Sequence, residues 1–157
     1  SKIYPTILVG GAYTFEDIGT LTLEYMYHAQ GYDEDEADLY YSLRGRAAYA
    51  YLDMGAYPGL LGQFTLYQTG NTGLRFLRKN YTMLQYYKGN IFNRMETTLR
   101  WTQNVDDGSA QFLGLLSYSL GNHVELFSSG VLNTGKEDSE FGTFINYQVM
   151  FGLKYTL

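Results

Sequence analysis

The sequence predicts an all-β fold, an antiparallel sheet that a long and partly helical insertion interrupts. Three observations support this fold class. Apolar and polar residues alternate over stretches of about ten residues, and turn-forming residues separate these stretches. The composition also suits long strands, because the chain has 17 tyrosines and only 2 prolines. We expect one region, 1–157, with an inserted loop at 33–79.

The alternation is clearest in the last stretch, residues 143–157. Successive side chains of a strand point to opposite faces of the sheet. One face of this strand is mostly polar or small, and the other is uncharged over about ten residues, the length of a tilted membrane-spanning strand. An edge strand of a soluble β-sandwich is the alternative interpretation. The uncharged face consists of Ile145, Tyr147, Val149, Phe151, Leu153, Tyr155 and Leu157.

The end of the chain resembles the C-terminal assembly signal of bacterial outer-membrane β-barrels. Gly152, Tyr155 and Leu157 match its glycine, its aromatic residue and its final apolar residue. Met150 stands where the signal prefers a polar residue, and Leu157 replaces the more common phenylalanine. The resemblance implies a porin-like antiparallel transmembrane β-barrel, or the C-terminal part of a larger one, in the outer membrane of a Gram-negative bacterium.

The same resemblance implies the partners of the chain. These are outer-membrane lipid and lipopolysaccharide, the barrel-assembly machinery, and a second copy of the chain or another protein of an outer-membrane complex. No nucleic-acid partner is expected, because the formal net charge is -5. No secretory signal follows Ser1, so we expect a mature chain or a fragment.

Alternation elsewhere predicts about seven strands in total, or about nine if the insertion is also β. Such barrels have short periplasmic turns and long outer loops, and an even number of strands in bacterial single chains. An odd count therefore predicts the C-terminal part of a larger barrel. Counting back from the end places the turns 16–19, 88–93 and 121–122 in the periplasm. The six upstream strands are predicted at 6–15, 20–30, 80–87, 95–104, 110–120 and 123–133.

The insertion has its own pattern. Its apolar residues recur at helical spacing over 34–53, and Asp33 with Glu36 is typical of a helix N-terminal capping box. Residues 60–68 fit either a short helix or a strand. The basic stretch 74–79 predicts a contact with lipopolysaccharide or an ordinary loop. Residues 106–109 and 135–140 are predicted to lie outside with this insertion.

The polar faces of the strands carry the candidate functional residues. In a barrel they would line a wet lumen, where mixed charge tunes ion selectivity. The alternative is a set of ion pairs that fill a small interior. These pore-lining candidates are Glu24, His28, Glu96, Arg100, Glu125, Gln148 and Lys154.

Catalysis and metal binding have little support. The chain has no cysteine, and His28 and His123 are predicted near opposite ends of their strands without obvious partners. The acidic block 33–38 lacks the spacing of an EF-hand loop. We therefore expect no enzyme activity, no metal and no cofactor. The predicted function is a pore for small hydrophilic solutes or ions, with a non-conducting scaffold barrel or a soluble β-protein with an aromatic binding face as alternatives.

Overall fold

The computed structural model describes residues 4–53, 56–70, 76–142 and 146–156. It shows a seven-stranded antiparallel sheet and two helices. The elements are β1 (Thr6–Phe15), β2 (Gly19–His28), α1 (Glu34–Asp53), α2 (Ala56–Gly70), β3 (Asn80–Ile91), β4 (Met95–Asn104), β5 (Ala110–Leu120), β6 (Val124–Thr134) and β7 (Tyr147–Tyr155).

The strands lie side by side in chain order, and each pairs with the next in antiparallel fashion. The all-β prediction with seven strands is confirmed, and the count of nine is wrong because the insertion is helical. The described sheet is open, with β1 and β7 at its two edges. Residues 143–145 and 157 of the last predicted strand lie outside the described residues.

Connections alternate between two ends of the sheet. The hairpin end carries the short turns at 16–18, 92–94 and 121–123, and the loop end carries the helices and the turns that begin at 105 and 135. The predicted grouping of the connections at two ends is thus confirmed. One turn differs from the prediction, because β3 continues to Ile91 instead of ending at Tyr87. A register irregularity between Lys88 and Ile91 lengthens the strand there.

The helices form a hairpin between β2 and β3. The prediction of a helix over 34–53 is confirmed by α1, and α2 shows that residues 60–68 are helical. The helices approach closely at Gly62, where an added Cβ would lie 2.5 Å from the carbonyl oxygen of Ala47. No helix among the described residues is long and apolar enough to cross a membrane.

A reciprocal capping box begins α1. The backbone N–H of Glu36 donates to Oδ1 of Asp33 at 3.0 Å, and the backbone N–H of Asp33 donates to Oε2 of Glu36 at 3.1 Å. These bonds satisfy two donors that the first helical turn would leave unpaired.

Replacing Asp33 with alanine is expected to destabilise the first turn of α1 by about 1 kcal/mol, because the backbone N–H of Glu36 loses its acceptor, Oδ1 of Asp33. Amide hydrogen exchange at Glu36 would measure the change. Asp33→Asn should retain most of the protection, since asparagine is also a good N-cap residue. Equal protection in the alanine variant would show that tertiary contacts, and not the cap, hold this turn.

The buried apolar core is small and lies at the loop end. It contains Ala37, Tyr40, Tyr41 and Leu77, with Tyr32 packed against it. In the part of the chain that the structure describes, the helices pack on each other and leave both faces of the sheet uncovered. The exposed faces are therefore the main surface available for function.

Candidate functional site

The register brings all seven pore-lining candidates to one face of the sheet. Residues that are direct cross-strand partners share a face, as do residues two apart on one strand. The pairs Glu24–Met83 and Met83–Thr102 link β2 to β4, and Glu125–Lys154 links β6 to β7. We call this the charged face. It carries Glu24, His28, Glu96, Arg100, Glu125, Gln148 and Lys154.

The opposite surface is the apolar face. Within the described strands, its charged residue is Lys88, which lies near the hairpin end. Large apolar side chains on this face are well exposed from one edge to the other, including Val9 at 63%, Leu99 at 54% and Phe151 at 80%. A contiguous exposed apolar surface of this extent marks a site of contact with lipid or protein.

Some charged side chains of the charged face have partners on the same face. Lys154 Nζ lies 3.7 Å from a carboxylate oxygen of Glu125. Arg100 donates to Oε1 of Gln85 through Nε at 2.9 Å and Nη2 at 2.6 Å. Among the described residues, the carboxylates of Glu24 and Glu96 have no ion-pair partner. The charged face therefore combines fixed pairs with carboxylates that remain available to a solute.

The two histidines lie at opposite ends of the sheet, as expected from the sequence. His28 Nδ1 lies 2.9 Å from the hydroxyl of Thr6 at the loop end. His123 Nδ1 lies 3.1 Å from the carbonyl oxygen of Thr156 at the hairpin end. No group of three potential metal ligands occurs among the residues that the structure describes.

Two residues that match the C-terminal assembly signal, Gly152 and Tyr155, lie among the described residues. Tyr155 lies on the apolar face and is 60% exposed. Gly152 lies on the charged face under the ring of Phe127, its cross-strand partner, and an added Cβ would overlap that ring. Glycine is therefore required for this aromatic contact whether or not the signal operates. Leu157 lies outside the described residues.

A polar cluster at the loop end is organised by Glu140, a residue of the β6–β7 loop that is only 6% exposed. Its Oε1 accepts the backbone N–H of Leu77 at 3.1 Å. Its Oε2 accepts the hydroxyl of Tyr81 and the amide of Asn104, the latter at 2.9 Å. One carboxylate thus connects the end of the insertion, the start of β3, the end of β4 and the last loop.

The β4–β5 turn supplies a second carboxylate to this cluster. Asp107 Oδ1 accepts the backbone N–H and the hydroxyl of Ser109, and Oδ2 accepts the backbone N–H of Glu140 at 2.8 Å. Burial raises the pKa of Glu140, and the negative charge of Asp107 adds to this effect, while the hydrogen bonds from Tyr81, Leu77 and Asn104 oppose it.

Asp106 anchors the same turn to the start of β3. Its Oδ2 accepts the backbone N–H groups of Lys79 at 2.9 Å and Asn80 at 3.0 Å, and its Oδ1 accepts the side-chain amide of Asn80 at 2.7 Å. Burial opposes ionisation, but these bonds and the charge of Arg78 outweigh it and lower the pKa of Asp106. The guanidinium Nη1 of Arg78 also donates to the carbonyl of Asp33, which joins the helical insertion to the cluster.

No protein-family model, curated protein or solved structure matches this chain. The proposed function therefore depends on the geometry of the chain itself.

The charged face could be predicted from the sequence, but the loop-end cluster could not. From the sequence alone, Asp106 belongs to a turn and Glu140 to a charged loop. The pattern Asn104-Val-Asp-Asp-Gly indicated a side-chain-stabilised turn. Nothing local indicated that Glu140 is buried, since its partner Leu77 lies 63 residues away in the chain. The basic stretch 74–79 is also less exposed than predicted, because Leu77 and Arg78 are buried. Residues 74–75 lie outside the described residues.

Proposed function

We propose that this sheet forms part of the wall of an outer-membrane β-barrel pore that passes small hydrophilic solutes or ions by diffusion. The observation that carries the proposal is that the charged side chains of β2, β4, β6 and β7 lie on one face of the seven-stranded sheet. The apolar face suits contact with lipid, and the charged face suits a wet lumen. A soluble sheet with a free apolar face of this size would be prone to association.

Strand direction supports a larger barrel. In an antiparallel sheet of seven strands, β1 and β7 run in the same direction. If these two edges paired directly, the junction would be parallel. Closure by antiparallel pairs alone requires an odd number of additional strands between β7 and β1, which gives the even total of bacterial barrels.

The loop end is the proposed outer mouth of the pore. The helical hairpin lies there and is tied to the β4–β5 and β6–β7 connections through the Glu140 cluster. The first turn of α1 carries Glu34 and Asp35, which are exposed. Their charge would attract cations within about one Debye length, ~8–10 Å at physiological salt.

A non-conducting scaffold is the second candidate, and the surface of the helical hairpin favours it. Both helices expose large apolar side chains outside the sheet, where a partner protein would cover them. These side chains include Leu39, Leu43, Tyr49, Tyr51, Leu52, Leu60, Leu61 and Phe64.

Planar-bilayer recording of the purified full-length protein distinguishes the two candidates. A pore gives stepwise, reproducible currents after insertion. Protein that inserts and shows heat-modifiable migration but carries no current would favour the scaffold. Protein that stays soluble without detergent would overturn both candidates.

The double variant Glu34→Gln/Asp35→Asn is expected to reduce cation preference, because it removes two exposed charges at the mouth and leaves the capping pair Asp33 and Glu36 intact. Reversal potentials under a salt gradient would measure the change. The difference from wild type should fade in 1 M salt, where the Debye length falls to about 3 Å. An unchanged reversal potential at low salt would place α1 away from the permeation path.

A further inference from the structure

The charged face contains an apolar groove that the pore hypothesis does not require. The groove has a volume of about 410 Å³ and lies across β3 to β7. Its apolar lining includes Leu115, Phe127 and Met150, which are 41%, 37% and 50% exposed and therefore accessible to a ligand. A polar face that served only to hold water would not need this concentration of apolar side chains.

The register explains how the groove forms. Two neighbouring cross-strand rows build it. In the first row, Glu96 pairs with Ser117, which pairs with Phe127, whose ring lies over Gly152. In the second row, Leu115 lies between Thr98 and Ser129, and Met150 follows on β7. The serines and the glycine are small, so the larger side chains around them leave a depression.

The groove has the composition of a small-molecule site. Such sites are concave, measure about 300–1,000 Å³ and combine a mainly apolar lining with a few polar groups that fix orientation. Here the polar groups include the hydroxyls of Thr98, Ser117 and Ser129 and the carboxylate of Glu96. Tyr87 on β3 also lines the groove and supplies a second aromatic ring.

The charge of the groove selects the ligand. Glu96 is the one ionisable acid or base, tyrosine aside, among the described residues that line it. Its carboxylate has no ion-pair partner within the described part of the chain. Lys154, which lies on the same face of β7 outside the groove, forms its ion pair with Glu125.

We propose that this groove binds small organic cations with an aromatic or aliphatic body, the ammonium group on Glu96 and the body between Leu115, Phe127 and Met150. The inference goes beyond diffusion of hydrophilic solutes, because it assigns a saturable site on the wall of the sheet. The inference does not require conduction, since the groove is formed by residues of the described strands.

The probe is phenethylammonium, titrated by calorimetry into the full-length protein in detergent, with neutral 2-phenylethanol and anionic phenylacetate as matched ligands. We expect saturable binding that is tightest for phenethylammonium, weaker for 2-phenylethanol and weakest for phenylacetate. Partition into micelles is common to all variants, so comparison between variants removes it.

Glu96→Gln should weaken phenethylammonium binding about fivefold and leave 2-phenylethanol unchanged, as expected for loss of one partly exposed ion pair. Met150→Gln should weaken both ligands, because it removes apolar contact. Glu24→Gln is the matched control, since Glu24 lies on the same face outside the groove. Heat-modifiable migration would verify that each variant is folded.

Three results would overturn the proposal. They are the absence of saturable phenethylammonium binding to folded protein, an equal loss in Glu24→Gln and Glu96→Gln, and binding of phenylacetate as tight as that of the ammonium. None of these readouts depends on current, so failure of the groove and failure of the pore are distinguishable.

Discussion

Arginine at Val149 is expected to lower the free energy of unfolding in lipid by about 2–4 kcal/mol, the range for arginine near the bilayer midplane on the lipid side of a barrel. Val149 lies in the middle of β7 on the apolar face and is 60% exposed. Gln148→Arg is the matched variant, because Gln148 is its neighbour in the chain and faces the other way. Gln148→Arg should lower the free energy of unfolding much less, since the new arginine side chain would enter the proposed lumen.

Urea titration of lipid-refolded protein measures both variants. The single tryptophan, Trp101, is a convenient probe, because it lies on the apolar face and stacks on Phe112 at a centroid distance of 6.4 Å. Its fluorescence should shift to the blue on insertion into lipid. Since β7 exposes both faces, a soluble sheet would tolerate both arginines about equally. Equal costs at 148 and 149 would therefore contradict the assignment of the apolar face to lipid.

The faces of the sheet could be predicted from sequence because alternation is a local signal. Every strand has a period of two, so the residues that point together are known once the strand is located. Arg100 and Lys154 lie on one face for this reason, although β5 and β6 lie between their strands. The capping pair Asp33 and Glu36 was equally predictable, because both residues belong to one turn of chain.

Other features depend on contacts that no local pattern records. The turn after β3 was misplaced because Asn90 and Asn93 adopt positive φ values, at 56° and 59°, and let the chain continue beyond Lys88 before it reverses. The groove was missed because Leu115 and Met150 look like exceptions to alternation within their own strands. They become a site only when the register places them in one row.

Replacing Glu140 with alanine is expected to open the loop end, with a loss of about 3–5 kcal/mol in local opening free energy. The substitution leaves the N–H of Leu77, the hydroxyl of Tyr81 and the amide of Asn104 without their acceptor in a buried site. Amide hydrogen exchange at Lys79 and Ser109 is the measurement. These amides donate to Asp106 and Asp107 and do not touch Glu140, so their exchange reports the cluster as a whole.

Two variants complete the test of Glu140. Asp138→Ala in the same loop should change the opening free energy by less than about 0.5 kcal/mol, because Asp138 is exposed.

Glu140→Gln keeps the shape of the side chain but removes its titratable group. Because folding raises the pKa of Glu140, the folded state binds its proton more tightly than the unfolded state. Wild type should therefore gain stability relative to Glu140→Gln as pH falls from the raised pKa towards the ordinary glutamate value, and lose that gain as pH rises through the raised pKa. Protection at Lys79 and Ser109 that is the same in wild type and Glu140→Ala would show that Asp106 and Asp107 hold the loop end without Glu140.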